Sequence, residues 1–264
     1  MRILLTLSIV LIILEGYSQN IPSYVPTNGL VGFWTMNGTH LDSSPNQTPT
    51  TNYGVTFGGY RDNPNNQVGI WEPDTNCNTG LVVTQLDTSG LGDGFTLSFW
   101  VKSDTTPECQ NPRILRWGGN VGLQFMLPNG YPNKFVFEHN SPINGMSATI
   151  LTDMTKWNNI VYTYGQDSLR IYLNDTLVWG TNNQHPFPNN VMGTEIYFGL
   201  YYSLATFPGS FNGQLDDIGI WNRVLDINEI GSLYGGSCQV YDTITIVDTI
   251  PYSVTDTLFI DVQL

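Results

Sequence analysis

The chain has 264 residues, 41% hydrophobic and 12% charged, with 22 acidic side chains against 9 Lys and Arg and a net charge of −13. Seven Trp, 14 Tyr and 12 Phe exclude a disordered chain, which would be poor in aromatics and rich in charge. The acidic balance makes wrapping of nucleic acid or adhesion to an anionic membrane electrostatically uphill, because both depend on clustered Lys and Arg. Gly, Pro, Asn and Thr are abundant while Ala, Glu, Lys and Arg are scarce, the composition of strands and turns.

Residues 1 to 19, MRILLTLSIVLIILEGYSQ, place Arg2 ahead of an apolar run from Ile3 to Leu14 and a small polar cluster. This is the pattern of a signal peptide, its apolar run being shorter than the about 20 residues of a membrane span. Cleavage is expected near Ser18 to Asn20. It removes Arg2 and Glu15 together, so the mature chain keeps the charge of −13, and no later stretch is apolar enough to span a membrane. Export exposes Cys77, Cys109 and Cys238 to oxidising conditions, where three thiols form one bridge and leave one over. Cys77 with Cys109 is the preferred pair, since both lie in Asn- and Pro-rich loop sequence on either side of one strong strand. The absence of CxxC, and the wide separation of His40, His139 and His185, argue against zinc.

From Gly29 to about Ser232, short apolar or alternating runs separated by turn clusters predict an all-β, two-sheet antiparallel sandwich. The strands expected in chain order are GLVGFWTM, FTLSFWVKS, RILRW, GLQFML, KFVFEH, NNIVYTY, SLRIYL, TLVWG, EIYFGLYY and LDDIGIW, too many for a single immunoglobulin unit. In FTLSFWVKS, Phe95, Leu97, Phe99 and Val101 fall on one face and Thr96, Ser98, Trp100 and Lys102 on the other. Asn174-Asp175 suits a tight hairpin between SLRIYL and TLVWG. A single short helix is expected near the end, because Asp226 and Glu229 form an acidic capping box, Leu225 can staple to Ile230, and Gly235-Gly236 supplies a stop. After Cys238 the composition shifts to a Thr-rich, extended segment with Asp-Thr-aliphatic units at Asp242, Asp248 and Asp256, which ends at Leu264 within a strand-like run. The natural chain is expected to continue past that point.

The opening GLVGFWTMNGTHLDSSPNQ, the central FTLSFWVKS, the hairpin WNNIVYTYGQDSLRIYLND and the closing FNGQLDDIGIWNRVLDINEIGSLY together resemble the concanavalin A-like, laminin G-like jelly-roll superfamily over residues 28 to 234. The resemblance implies a jelly roll over residues 20–237 that serves as a carbohydrate-binding or adhesion module in a secreted or cell-surface protein, with a structural calcium. The layout also looks like that of proteins exported by type IX secretion, in which a Thr-rich linker such as residues 238–264 precedes a C-terminal sorting domain. In that setting the Asp-Thr-aliphatic triplets resemble O-glycosylation sites at Thr243, Thr249 and Thr257, although strand composition accounts for them equally well.

Asp216 is the sharpest chemical feature. Strict alternation puts it on the face of Ile218 and Ile220, where a carboxylate is costly unless paired or metal-bound. Calcium suits such a position, and the resemblance implies an Asp at the start of the last strand together with an early loop, for which Asp42 is the candidate. The alternative is that Asp216 meets backbone amides or an Arg while Asp42 caps a turn; Asp217, on the opposite face, is expected to be solvated. Hydrolases of the superfamily carry Glu-x-Asp-x-Glu or Glu-x-Asp-x-x-Glu on one strand, whereas here Glu72, Glu108, Glu138, Glu195 and Glu229 stand isolated, and neither a GxSxG elbow nor an HExxH helix occurs. No catalytic residue is assigned. Aromatic platforms beside amides and carboxylates are the materials of sugar binding, and Trp179, His185, Tyr201 and Tyr202 are the candidate contacts; Trp34, Trp157 and Trp221 coincide with packing positions of the superfamily, so the resemblance implies that they lie in the core. The expectation is a non-catalytic, lectin-like module whose partner is an extracellular glycan. The rivals are a structural or adhesive spacer contacting surface proteins and, further off, a divergent glycoside hydrolase.

Overall fold

The computed structural model describes residues 20–104, 109, 112–118, 122–128, 133–140, 146–165, 168–182, 193–201 and 209–235. The expected leader and the Thr-rich tail, with Cys238 and the three Asp-Thr triplets, lie outside the described residues.

Among the described residues, fifteen strands and one helix follow in the order β1 (Leu30–Trp34), β2 (Thr50–Tyr53), β3 (Thr56–Gly58), β4 (Val68–Trp71), β5 (Gly80–Val83), β6 (Gly94–Ser103), β7 (Arg113–Trp117), β8 (Gly122–Met126), β9 (Lys134–Asn140), β10 (Met146–Leu151), β11 (Asn158–Gly165), β12 (Ser168–Leu173), β13 (Thr176–Thr181), β14 (Ile196–Phe198), β15 (Gly213–Trp221) and α1 (Ile227–Gly235). One sheet runs β13-β12-β11-β6-β15-β4-β3, with β1 added against β15; the second runs β10-β9-β8-β7-β14-β5-β2. Neighbours many residues apart in sequence, such as β6 and β15, pair antiparallel, as a two-sheet jelly roll requires.

The main core lies between the sheets. Phe95, Leu97, Phe99 and Val101 of β6 enter it together, as alternation predicts, and meet Phe125, Phe135 and Phe137 from the facing sheet. Phe99 and Phe125 pack edge to face at 5.2 Å, a favourable ring arrangement. At the hairpin, Leu173 pairs with Thr176 and both turn residues, Asn174 and Asp175, take positive φ (50° and 63°). Asn and Asp tolerate that region better than other side chains, and it matches the twist of the flanking strands. Cys77 and Cys109 are bridged, with Cα atoms 5.9 Å apart.

A second, smaller apolar cluster covers the outside of the first sheet. Val25, Phe33, Val161, Trp221, Leu225, Ile230 and Leu233 form it, with Ile21, Tyr24, Leu30 and Tyr172 against its rim. Helix α1 is seated there by its capping box: Asp226 Oδ1 accepts from the amides of Asn228 and Glu229, and Glu229 Oε2 accepts from the amide of Asp226. Leu225 and Ile230, the predicted staple, are both in this cluster. The segment before β1 is tied to the same region, as Trp221 Nε1 donates to the carbonyl of Pro26 at 2.6 Å and Ser232 Oγ to that of Tyr24 at 2.9 Å.

Three Gly-x-Trp units repeat one packing device. Gly32-Phe33-Trp34, Gly69-Ile70-Trp71 and Gly219-Ile220-Trp221 each carry a fully buried Trp whose ring lies over the Gly two residues earlier, where a Cβ would clash with it. Trp34 and Trp221 are thus in the core as expected, whereas Trp157 is only half-buried. Among the described residues no helix is long and apolar enough to cross a membrane.

Candidate functional site

The outer face of the first sheet is interrupted by a β-bulge. Between Asp216 and Gly219 the register of β15 shifts against β6, so that Asp216 stands opposite Trp100 and Gly219 opposite Ser98. Three steps along β15 therefore match two along β6, and the extra residue, Asp217, has φ +43°. A bulge inverts alternation beyond it. As a result Leu215, Ile218 and Ile220 all face the inter-sheet core, while Asp216 shares the outer side with Trp100. The expectation that Asp216 shares a face with Ile218 and Ile220 is corrected by this single inserted position.

Arg61, from the turn between β3 and β4, is folded over both carboxylates. Its Nη1 is 2.9 Å from Asp216 Oδ2, its Nη2 3.0 Å from Asp217 Oδ2 and its Nε 3.2 Å from Asp62 Oδ2. The guanidinium also lies 4.3 Å from the ring centroid of Trp100, a cation–π contact strengthened by desolvation. Trp100 in turn stacks on Tyr234 of α1 at 5.7 Å, so this outward-facing Trp is buried. Tyr24 Oη donates to Asp217 Oδ2 at 2.5 Å. Asp217, expected in solvent, is buried and shared by Tyr24 and Arg61.

The electrostatics follow from burial. The Asp216 carboxyl is pushed well above the usual range by burial and then by Asp217, against the pull of Arg61. Burial works to lower the pKa of Arg61, yet Asp217, Asp216 and Asp62 together raise it, holding the guanidinium charged. Burial and the adjacent Asp217 raise the Tyr24 phenol, so it remains a donor.

Tyr24, Arg61, Asp216 and Asp217 line a cavity of about 290 Å³ together with Asn20, Pro22, Thr35, Asn37 and Asn66. Small-molecule sites run from about 300 to 1,000 Å³, so the cavity suits a single small polar ring. Its wall combines amides, carboxylates, a guanidinium and a phenol beside the flat apolar surfaces of Pro22 and Tyr24.

The two carboxylates expected to share calcium have separate partners. Asp216 has Arg61, the alternative that the sequence left open. Asp42 takes the amides of Phe33 at 2.9 Å, Ser44 at 2.8 Å and Thr48 at 2.8 Å, and the Ser44 hydroxyl at 2.9 Å, which is the work of a loop cap. The residues do not fit the ion: Arg61 already supplies the counter-charge at Asp216, and among the described residues no group of three or more His, Cys, Asp or Glu could hold a metal.

The aromatic candidates are dispersed. Trp179, on β13, is half-buried and packs on the main core, its ring 5.8 Å from that of Phe137. Tyr201 follows β14 in the other sheet, with the guanidinium carbons of Arg113 and Arg116 at 5.1 and 4.6 Å from its ring. Beneath it, register aligns Tyr197, Arg116, Gln124 and Glu138 across four strands. Gln124 Oε1 accepts from Arg113 Nε at 2.9 Å and Arg116 Nη1 at 2.8 Å, and its amide donates to Glu138. His185 and Tyr202 lie outside the described residues. The structure does not bring Trp179 and Tyr201 to one site, and the pocket it forms instead uses Tyr24 and Arg61, which no periodic signal marked.

The two antiparallel sheets with a lidded outer face define a jelly-roll module. A family model described as the concanavalin A-like lectin/glucanase superfamily, of laminin G type, matches residues 75–231, and the chain belongs to that superfamily. None of the curated proteins matches it. Among solved structures, it is similar to the binding domain of Paraclostridial Mosquitocidal Protein 1 (TM-score 0.63, 17% identity, 80% of this chain and 52% of that one). It is also similar to the binding domain of botulinum neurotoxin serotype G (0.59, 19%, 78% and 50%) and to that of botulinum neurotoxin DC solved in complex with SialylT (0.62, 15%, 81% and 52%). At these identities the likeness shows the fold, and the chain spans about half the length of each of these domains.

Proposed function

We propose that the protein is a secreted, non-catalytic binding module that takes carbohydrate in the pocket formed by Tyr24, Arg61, Asn66, Asp216 and Asp217. The observation that carries this reading is the pocket's wall, in which amides, paired carboxylates and a guanidinium converge beside Pro22 and Tyr24. A sugar presents hydroxyls to the first set and C–H faces to the second. Membership of a lectin and glucanase superfamily supports the ligand class, and the toxin binding domains that share the fold support a binding role over catalysis. Calcium has no part in the proposal.

A glycan array probed with the purified full chain tests it: binding to a restricted set of sugars that is lost in Arg61→Met supports the reading, and a uniformly blank array refutes it. A second reading, a surface that docks another protein, is favoured by one observation: the botulinum neurotoxin DC binding domain has also been solved in complex with rat synaptotagmin II. A blank array with specific capture of one surface protein would shift the assignment to that class.

A further inference from the structure

Residues 20–24 lie against the outer face as a short arm and not as part of a sheet, since they precede β1 and carry no strand. The arm supplies Asn20, Pro22 and Tyr24 to the cavity wall, whose other side is built from β15, the segment after β1 and the turn between β3 and β4. A turn in which the Val25 amide donates to the Pro22 carbonyl at 3.0 Å keeps the arm compact.

What holds the chain down changes along its length. At the root, Trp221 Nε1 donates to the Pro26 carbonyl at 2.6 Å, Arg223 Nε to that of Asn28 at 2.8 Å, and the Asn222 amide to that of Gly29 at 2.8 Å. Trp221 is fully buried, and among the described residues its indole has no second acceptor, so lifting the root would strand a buried donor. Val25, next to it, is 4% exposed within the second apolar cluster.

At the tip, both hydrogen bonds have a replacement inside the body of the domain. The Tyr24 carbonyl accepts from the Ser232 hydroxyl at 2.9 Å, yet that hydroxyl also stands 2.7 Å from the Glu229 carbonyl of α1. A hydroxyl has one proton to give, and the helix carbonyl takes it when the arm leaves. Tyr24 Oη donates to Asp217 Oδ2 at 2.5 Å, and the same oxygen lies 3.0 Å from Arg61 Nη2. When the phenol leaves, Asp217 keeps its guanidinium, and water takes up the freed groups of Tyr24. The arm therefore lifts without orphaning either partner. What opposes it is the partial burial of Ile21 and Tyr24 at the rim of the second cluster.

We infer that residues 20–24 are a gate on the pocket. The gate pivots at Val25 between a closed state, in which the cavity measures about 290 Å³, and an open one that has lost the Asn20, Pro22 and Tyr24 side of its wall. Its role in admitting a ligand rests on the carbohydrate-binding reading; the motion itself does not.

Chymotrypsin, which cuts after Tyr and Phe alike, tests the motion in the purified mature chain. The initial rate of cleavage between residues 24 and 25 is read by mass spectrometry as the product that begins at Val25, and under native conditions it tracks the open population. Below the unfolding transition that rate should be nearly flat in urea, because a five-residue arm exposes little surface. Tyr24→Phe should be cut roughly tenfold faster, the low end for losing a hydrogen bond to a charged acceptor, with the same flatness. Ser232→Ala should be cut roughly twofold faster or more, as for a neutral hydrogen bond, and serves alone if Tyr24→Phe does not fold. A rate that climbs with urea in step with global unfolding, or variants cut no faster than wild type, overturns the inference. A sugar identified on the array should slow the cleavage at least about tenfold when present at a hundred times its Kd, and one that binds without slowing it overturns the gate. A uniformly blank array refutes the carbohydrate reading alone, since the cleavage rates of the free protein decide the motion.

Discussion

Replacing Arg61 by Met isolates the charge term of the pocket, because Met keeps the length and apolar stem of the side chain while removing the guanidinium. Asp216 and Asp217 would then be left buried without their cation. Removing one partner of a buried ion pair costs about 3–5 kcal/mol, and at 6% side-chain exposure solvent screening relieves little of it. The pH dependence gives the sharper signature. Asp216 already has a raised folded-state pKa, through burial and then Asp217. Stability associated with such a group is fully present below the unfolded value, about 3.9, and is lost as pH rises through the folded value. Without Arg61, which pulls the value down, the folded state holds its protons to higher pH and the loss is larger. For one extra proton retained, the deficit should shrink by about 1.4 kcal/mol per pH unit on acidification, or about 2.7 kcal/mol between pH 7 and pH 5. Urea unfolding of wild type and variant from pH 5 to pH 8 measures this directly. A deficit below about 1 kcal/mol at pH 7, the range of an exposed pair, or one that does not change with pH, would refute the account of a buried, under-neutralised cluster.

The Cys77–Cys109 bridge spans 32 residues, for which chain entropy gives about 3.7 kcal/mol; at about 2–4 °C per kcal/mol, Cys77→Ala/Cys109→Ala should melt roughly 7–15 °C lower, and a fall under about 2 °C by calorimetry contradicts that estimate. Asp226→Ala removes the acceptor for two amides at the start of α1 and should cost about 1 kcal/mol in denaturant titration, whereas Asp226→Asn should cost much less. Gly219→Ala would drive a methyl into the Trp221 ring and to 3.1 Å from Phe33 Cδ2. An overpacking cost of about 1–3 kcal/mol is expected, read as a lower urea midpoint, and an unchanged midpoint would show that the ring has room to move.

What was legible in the sequence is what is encoded locally. The alternation of FTLSFWVKS names the core face of β6 because ten consecutive residues repeat one pattern, and the Asp226/Glu229 box names the start of α1 because its partners lie three residues apart. The strands β2, β3, β4, β5 and β10 were not anticipated: TTNY, TFG, VGIW and GLVV are three or four residues long, too short to show a period, and in MSATIL the exposed Leu151 blurs the alternation. EIYFGLYY shortened to Ile196–Phe198 for the complementary reason, an apolar run longer than the pairing available to it. The pocket was half legible. Asp216 stood out as a costly carboxylate, but its side of the sheet was inverted by one bulged residue, which period-two reasoning cannot see. Arg61 and Tyr24 sit in GGYRDN and IPSYVP, turn sequences with no periodicity to single them out. The usable signal was scarcity: with only 9 Lys and Arg in the chain, few residues were available to neutralise a buried Asp pair.

The bulge on β15 also bears on motion. The pocket's two carboxylates sit on a strand hydrogen-bonded to β6, β4 and β1, and the strand's other side is sunk in the main core. Loops open locally at little cost, but a strand paired on both sides separates only when much of its sheet comes apart. The amides of residues 213–215 and 219–221, where β15 has a partner on each side of the bulge, should therefore exchange hydrogen near the rate of global unfolding. A pocket wall mounted this way would meet a ligand already shaped, because the two strand segments that flank its carboxylates are held fast.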